Sequence, residues 1–335
     1  MNKVKRTLLT WETFLLGILI LEFVVFGAKN PKFLMPRVLL ASVNDFIAIC
    51  FIALFVTFVM ITGGMDIQAA SIIGLTSIII GVGWQDGGMN IWTASVLAII
   101  VAALCGALSG FFVAYCGVQA MVVTLGGSFL YAGFGLLVSN LSATEAYKGI
   151  SGFPEDFKII SKYKLFDLIP AQLLAFIVLI IIAYILLHKT KYGRSIFLIG
   201  INQEAAEYSG INTRLVILST YVISAVSAAL AGIMLTSYLG TAKSDLGSNL
   251  TLNIITAVVL GGTLSTGGKG SVIGTALASL VIGILRFGLP LCFKVNTQYM
   301  DIPVGALLLI VVIGRAIVSR PETAVFFKKL KKEKK

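Results

Sequence analysis

Long apolar runs alternate with short polar ones almost from end to end of the chain. A helix needs about 20 apolar residues to cross a hydrocarbon core of about 30 Å. By that measure ten runs stand out: 10–28, 38–62, 67–83, 91–115, 118–139, 166–187, 213–239, 247–264, 271–289 and 300–319. The third and eighth are short and rich in glycine. The pattern predicts an all-α, polytopic membrane protein of about ten transmembrane helices, forming one transmembrane domain over residues 1–335.

Composition agrees with the pattern. Hydrophobic residues make up 58% of the chain and charged ones 12%, with a mean hydropathy of +0.98. A globular domain usually carries about 25% charged residues, so too little polar surface is left here to face water. The N-terminal MNKVKRTLLTWETFLLGILILEFVVFG has a basic start and a run long enough to span. It lacks a small-residue cleavage site, so a retained first helix is expected.

An even number of crossings puts both termini on one side. Lys and Arg favour cytoplasmic segments. With both ends inside, the inner segments hold Lys3, Lys5, Arg6, Lys189, Lys191, Arg194, Arg214, Lys269 and the C-terminal cluster. The expected topology is therefore N-in and C-in, with a cytoplasmic loop at 188–213 and the longest outer loop at about 140–165. The net charge of +11 does not require a nucleic acid as partner. Eight of the 26 basic residues lie between Arg315 and Lys335. The segment 320–335 reads as a basic cytoplasmic tail beside anionic lipid.

Catalytic chemistry is not expected. Cys50, Cys105, Cys116 and Cys292 sit in or beside apolar runs without metal-ligand spacing, and the single histidine, His188, ends a span. No HExxH, GxSxG or GxxxxGK[ST] motif occurs. The reading is a non-enzyme with no metal and no cofactor of its own. If ATP is used, another polypeptide binds it.

Some residues do not belong in oil. An ionised side chain at mid-membrane costs about 3 kcal/mol on insertion scales. Asn44 and Asp45 in the second run, Asp66 just before the third, Gln68 at the start of the third, Asn253 in the eighth and Arg286 in the ninth should therefore face a cavity or a partner. Two glycine pairs, Gly63-Gly64 and Gly261-Gly262, interrupt apolar patterns. They suit either helix breaks lining a pathway or close approach of helices through small residues. A weak echo links them: GGMDIQAASIIG at 63–74 and GGTLSTGGKGSVIG at 261–274.

The polar stretch GINQEAAEYSGINTR, residues 200–214, is the most informative. Asn202 suits an N-cap, Glu204 suits the first turn, and Gly210 followed by Ile211 suits a C-terminal stop. This describes a helix of under two turns, which is unstable alone in water. It needs a surface, and Ala205 and Ala206 give it a face for close approach. A stray loop turn is the plainer alternative.

That stretch resembles the cytoplasmic coupling loop of ABC-importer permeases of the ribose and branched-chain amino acid group. GGMDIQAASIIG and TAVVLGGTLSTGGKGSVIG are similar to further segments of that group, and the similarity spans nearly the whole chain. Within it, LEFVVFGAKNP, FPEDF, LHKTKYGRSIFLIG, SYLGTAKSDLGS and GALLLIVVIGRA resemble the branch that imports autoinducer-2, a ribose-type permease being the nearest alternative. Gln68-Ala69-Ala70 departs from the usual serine-rich continuation after Asp66. The resemblance implies a second homologous permease, two ATP-binding cassette ATPases, an extracytoplasmic substrate-binding protein, and the cytoplasmic membrane of a bacterium. It makes Asn202, Glu204, Ala205, Ala206 and Gly210 the ATPase-coupling residues, and Gly63, Gly64, Asp66, Gly261 and Gly262 the hinges. Asn44, Asp45, Gln68 and Asn253 become candidate polar residues of the pathway. The rival class, an ion-coupled secondary transporter, would have to recruit Glu22, Asp45 and Asp66 as a path.

Overall fold

The computed structural model describes residues 11–145 and 147–319, and side chains as far as residue 313. The basic tail expected at 320–335 lies outside the described residues. The fold is all-α and polytopic. In chain order the long helices are α1 (Trp11–Lys29), α2 (Pro36–Ile61), α3 (Ala69–Gln85), α4 (Ile91–Ala114) and α5 (Ala120–Ser139). A short α6 (Glu155–Lys162) precedes α7 (Ala171–His188), α8 (Lys191–Ile201), α9 (Gln203–Tyr208) and α10 (Thr213–Leu239). The last three are α11 (Thr251–Leu260), α12 (Val272–Phe293) and α13 (Asp301–Ser319).

Among the described residues, seven helices are long and apolar enough to cross a membrane. Three predicted spans are not among them: the third, the eighth, and the tenth, counted over Thr297–Ile313. The third is a helix of 17 residues. The eighth, expected over 247–264, is a helix of only 10, which at 1.5 Å per residue is about 15 Å, half a hydrocarbon core. The sixth starts five residues later than its apolar run. Strands β2 (Lys164–Leu165) and β3 (Ile169–Pro170) pair there as a tight hairpin, with Phe166 and Asp167 both at φ 55.

α2 is the most buried span. It packs with α10 at the centre of the bundle, while α4, α5 and α7 turn large apolar faces outward. Small residues set these distances. A Cβ on Gly106 of α4 would lie 2.6 Å from Tyr221 O, and one on Gly110 would lie 2.9 Å from Leu218 O. The helix backbones therefore almost touch, the usual way membrane helices associate when water supplies no driving force between them.

The two ends of the bundle differ. At one, Ile61, Gly200 and Gly268 meet. At the other, strand β1 (Ile150–Ser151) pairs antiparallel with β4 (Thr241–Ala242). α6 closes that end, burying Phe157 against Phe153 and donating its charges to the surface. There Lys158 Nζ donates to Glu155 Oε1 at 2.9 Å, holding that carboxyl below the usual range.

Candidate functional site

The stretch 200–214 folds as its capping residues dictate. Asn202 is extended, and its Oδ1 accepts from Ala205 N–H at 3.0 Å. Glu204 lies in the first turn of α9. Gly210, at φ +83, lets Ile211 N–H donate back to Ala206 O at 3.2 Å and Gly210 N–H to Glu207 O at 2.9 Å. This double closure is a Schellman stop, which needs a left-handed residue where a side chain is strained. The expectation that Ala205 and Ala206 share one face needs correction. Ala206 is buried among Val59, Ile199, Ile217 and Tyr221, and so anchors α9 to the bundle. Ala205 points out, beside exposed Glu204, with Ile201 at 71% and Tyr208 at 93% exposure. Consecutive helical residues point about 100° apart, so one alanine anchors and the other is presented.

Directly behind α9, three backbones converge. Gly268 N–H donates to Ile61 O at 2.8 Å. A Cβ on Gly200 would overlap that same carbonyl, and one on Gly267 would lie 2.8 Å from Gly63 N. The end of α8, the end of α2 and the turn before α12 therefore meet without side chains between them. Gly200→Ala is expected to break the Gly268–Ile61 bond and force these segments apart. The check is the amount of folded protein in detergent, measured by size-exclusion fluorescence at rising temperature, which should melt several degrees lower than the unsubstituted chain.

Each glycine pair holds one residue of each kind weighed from the sequence. Gly63 (φ +84) and Gly262 (φ +96) adopt backbone conformations that L side chains avoid. Gly64 lies where a Cβ would be 2.6 Å from Tyr221 Oη, and Gly261 where one would be 2.6 Å from Thr275 N. Helix breaking and close approach therefore coexist, one residue apart.

Past Gly63-Gly64 the chain stays non-helical until Ala69. It climbs beside α10: Gly64 neighbours Tyr221, Asp66 bonds Ser224, and Ile73 and Thr76 meet Gly232. Contact positions rise together on both segments, so they run parallel. Ser224 is eleven residues into α10, roughly 16 Å along it. Asp66 thus lies beside the middle third of α10. Its Oδ2 accepts from Ser224 Oγ at 2.6 Å and its Oδ1 from Gln68 N–H at 3.2 Å. A carboxylate at the start of α3 also meets the positive end of that helix. Gln68 Oε1 accepts from Ser109 Oγ at 2.6 Å, and Ser109 Oγ lies 2.9 Å from Tyr131 Oη. Where a serine was usual, Gln68 thus ties the break to α4 and α5.

The other polar candidates are elsewhere. Asn44 is buried with Oδ1 unpaired among the described residues. Asp45 is exposed and accepts from Tyr238 Oη at 3.1 Å. Asn253 Oδ1 accepts from Arg286 Nη1 at 2.9 Å. Glu22 is buried in α1. No hydrogen bond among the described residues joins Glu22, Asp45 and Asp66 to one another, so they do not form the relay that an ion-coupled path would want.

Sequence reasoning missed a second break. Residues 243–250, between β4 and α11, are non-helical. They lie along α3, where a Cβ on Gly74 would overlap Ser244 O and Gly247 sits against Ile73. The string KSDLGSN carries the turn signal that marks it. Only its second half, 247–250, falls within the eighth apolar run.

The site thus sits in a membrane bundle of apolar helices with two interrupted segments and a short capped helix at one end. The chain belongs to the family described as branched-chain amino acid transport system / permease component, whose model matches residues 38–312. It is 41% identical over 307 residues to the autoinducer 2 import system permease protein LsrD of Yersinia pseudotuberculosis strain YPIII, covering 92% of this chain and 91% of that protein. The protein of the same description from Yersinia enterocolitica is also 41% identical over 307 residues, covering 92% of each chain. Among solved structures, a chain of PsaBC from Streptococcus pneumoniae in complex with Fab superposes with a TM-score of 0.51 at 11% identity, over 92% of this chain and 99% of that one. That likeness concerns the fold alone. The protein is thus a multi-pass permease subunit of an ABC importer in the cytoplasmic membrane.

Proposed function

We propose that this permease carries autoinducer-2, a small furanosyl polyol, into the cell as one half of a permease heterodimer. One of two ATP-binding cassette subunits would bind the Ile201–Tyr208 surface, and an extracytoplasmic binding protein would deliver substrate at the α6 end. The 41% identity over nearly the full chain to autoinducer 2 import permeases supports the substrate. The observation that carries the mechanism is the backbone junction of Gly200, Ile61 and Gly268, immediately behind the exposed face of α9. Movement of α9 has no side-chain cushion to absorb it there, so it passes to the end of α2 and to the break at 62–68.

Ten crossings follow if the non-helical 62–68 completes α3 and the non-helical 243–250 completes α11. Non-helical backbone at membrane depth is tolerated where protein or a water-filled cavity covers it. Both termini and α9 would then face the cytoplasm. In a chain with its four cysteines replaced by alanine, Phe166→Cys should react with an impermeant maleimide in intact spheroplasts. Tyr208→Cys should react only after permeabilisation. Labelling in the reverse order would overturn the orientation.

The substrate is tested by depletion of the signal from culture medium. Cells lacking this chain should leave autoinducer-2 outside while consuming ribose normally. Loss of ribose consumption with intact signal depletion would point to a sugar permease instead.

A further inference from the structure

Between α2, α12 and the start of α13, away from the break at 62–68, lies a cavity of about 550 Å³. Asp45, Phe46, Gly283, Arg286, Phe287 and Thr297 line it. Asp45 is sixteen residues before the Ile61 end of α2, roughly 24 Å of helix. The cavity therefore opens in the half of the bundle that carries β1, β4 and α6.

Its charges are arranged unusually for a structural pair. Arg286 and Asp45 line the same space but do not bond each other. Arg286 Nη1 is held by Asn253 Oδ1 at 2.9 Å and Asp301 Oδ1 at 3.0 Å. Asp45 accepts one bond, from Tyr238 Oη at 3.1 Å. A guanidinium has five N–H donors and a carboxylate about four acceptor positions, so both groups keep capacity facing the cavity. A charge in a span costs free energy unless it is paired or serves a pathway. Here Arg286 is ion-paired with Asp301 and keeps spare N–H donors, while Asp45 has only the Tyr238 hydroxyl and no basic partner among the described residues.

The apolar walls complete a recognisable chemistry. Gly283 has no side chain, and a Cβ there would overlap the Phe46 ring, so that ring lies close against α12. Phe287 stacks on Phe33 with ring centroids 5.9 Å apart, which fixes its plane. Two fixed rings, an open carboxylate and an open guanidinium suit a small polyhydroxylated ring: its C–H faces lie on the aromatics, adjacent hydroxyls donate to the carboxylate, and ring or hydroxyl oxygens accept from the guanidinium.

We infer that this cavity is a waypoint that binds a small cyclic polyol on its way through the permease, with Asp45 and Arg286 as its polar contacts. The inference rests on the import reading above. It adds that the permease itself recognises hydroxyls, rather than leaving all selection to the binding protein.

The test uses the complete importer in proteoliposomes, with its ATPases inside and loaded binding protein outside. Asp45→Asn and Arg286→Gln should each lower autoinducer-2 uptake at least ten-fold, while loaded binding protein still stimulates ATP hydrolysis. Because Arg286→Gln also removes the bonds to Asn253 and Asp301, Thr297→Trp serves as a second variant. It narrows the cavity from its rim without touching either charge, and it should also lower uptake at least ten-fold with hydrolysis intact. Wild-type uptake in both Asp45→Asn and Thr297→Trp would overturn the inference. If the unsubstituted importer carries ribose and not autoinducer-2, the substrate reading fails, and the cavity is then tested by the same variants with ribose.

Discussion

An importer carrying Ala205→Glu is expected to reach the membrane in normal amounts and yet take up at least ten-fold less substrate, with ATP hydrolysis no longer answering to loaded binding protein. The reason is where Ala205 points. It is exposed on α9, between Glu204 and the outward Tyr208, on the face left free when Ala206 anchors the helix. A glutamate fits the helix itself, since its propensity is close to that of other straight-chain residues and it lies near a helix N-terminus. Nothing in the bundle is disturbed. What changes is the surface that, on the proposed function, an ATPase would meet, where a new charge would be desolvated without a counterpart. Ala206→Glu is the informative contrast. It forces a carboxylate among Val59, Ile199 and Tyr221, and the protein itself should be lost. Western blotting of membranes separates the two outcomes. Equal uptake by the Ala205→Glu importer and its parent would remove α9 from the coupling path.

Asp66→Ala should have a comparable effect by a different route. The carboxylate gathers Ser224 Oγ and Gln68 N–H at the start of α3. Its loss leaves a buried hydroxyl and a buried amide without their acceptor, each costing about 1–3 kcal/mol. The non-helical 62–68 would lose its tie to α10. Uptake is expected to fall at least ten-fold, and the thermal midpoint of the purified protein by several degrees. Asp66→Asn keeps an acceptor for Ser224 and should recover a large part of the stability. If uptake and midpoint were both unchanged in the alanine variant, the break would be held by other contacts.

The long elements were legible in the chain because oil imposes a length. Each of the ten apolar runs overlaps a helix, and the two weakest by length and glycine content, together with the tenth, are the three outside the seven full-length spans. The short α9 was legible because caps are local chemistry: Asn202 and Gly210 act on amides within a few residues of themselves. What the sequence concealed was non-local. That Ala206 turns inward depends on Val59 and Tyr221, far away in the chain. That Gly64 is a contact glycine while Gly63 is a conformational one depends on Tyr221 beside it. The break at 243–250 was half hidden because 247–250, ending in Leu250, merged with the apolar run that follows. Also non-local is the approach of two stretches that echo each other in sequence, 63–74 and 261–274: a Cβ on Gly267 would lie 2.8 Å from Gly63 N.

On the proposed function, this chain moves substrate only when an ATPase drives it through α9. The most direct measurement is accumulation of autoinducer-2 in proteoliposomes containing this chain alone, the permease pair, or the complete importer with loaded binding protein. Accumulation is predicted only in the complete importer and only with ATP on the side of α9. Accumulation by this chain alone, driven by a proton or sodium gradient, would contradict the account.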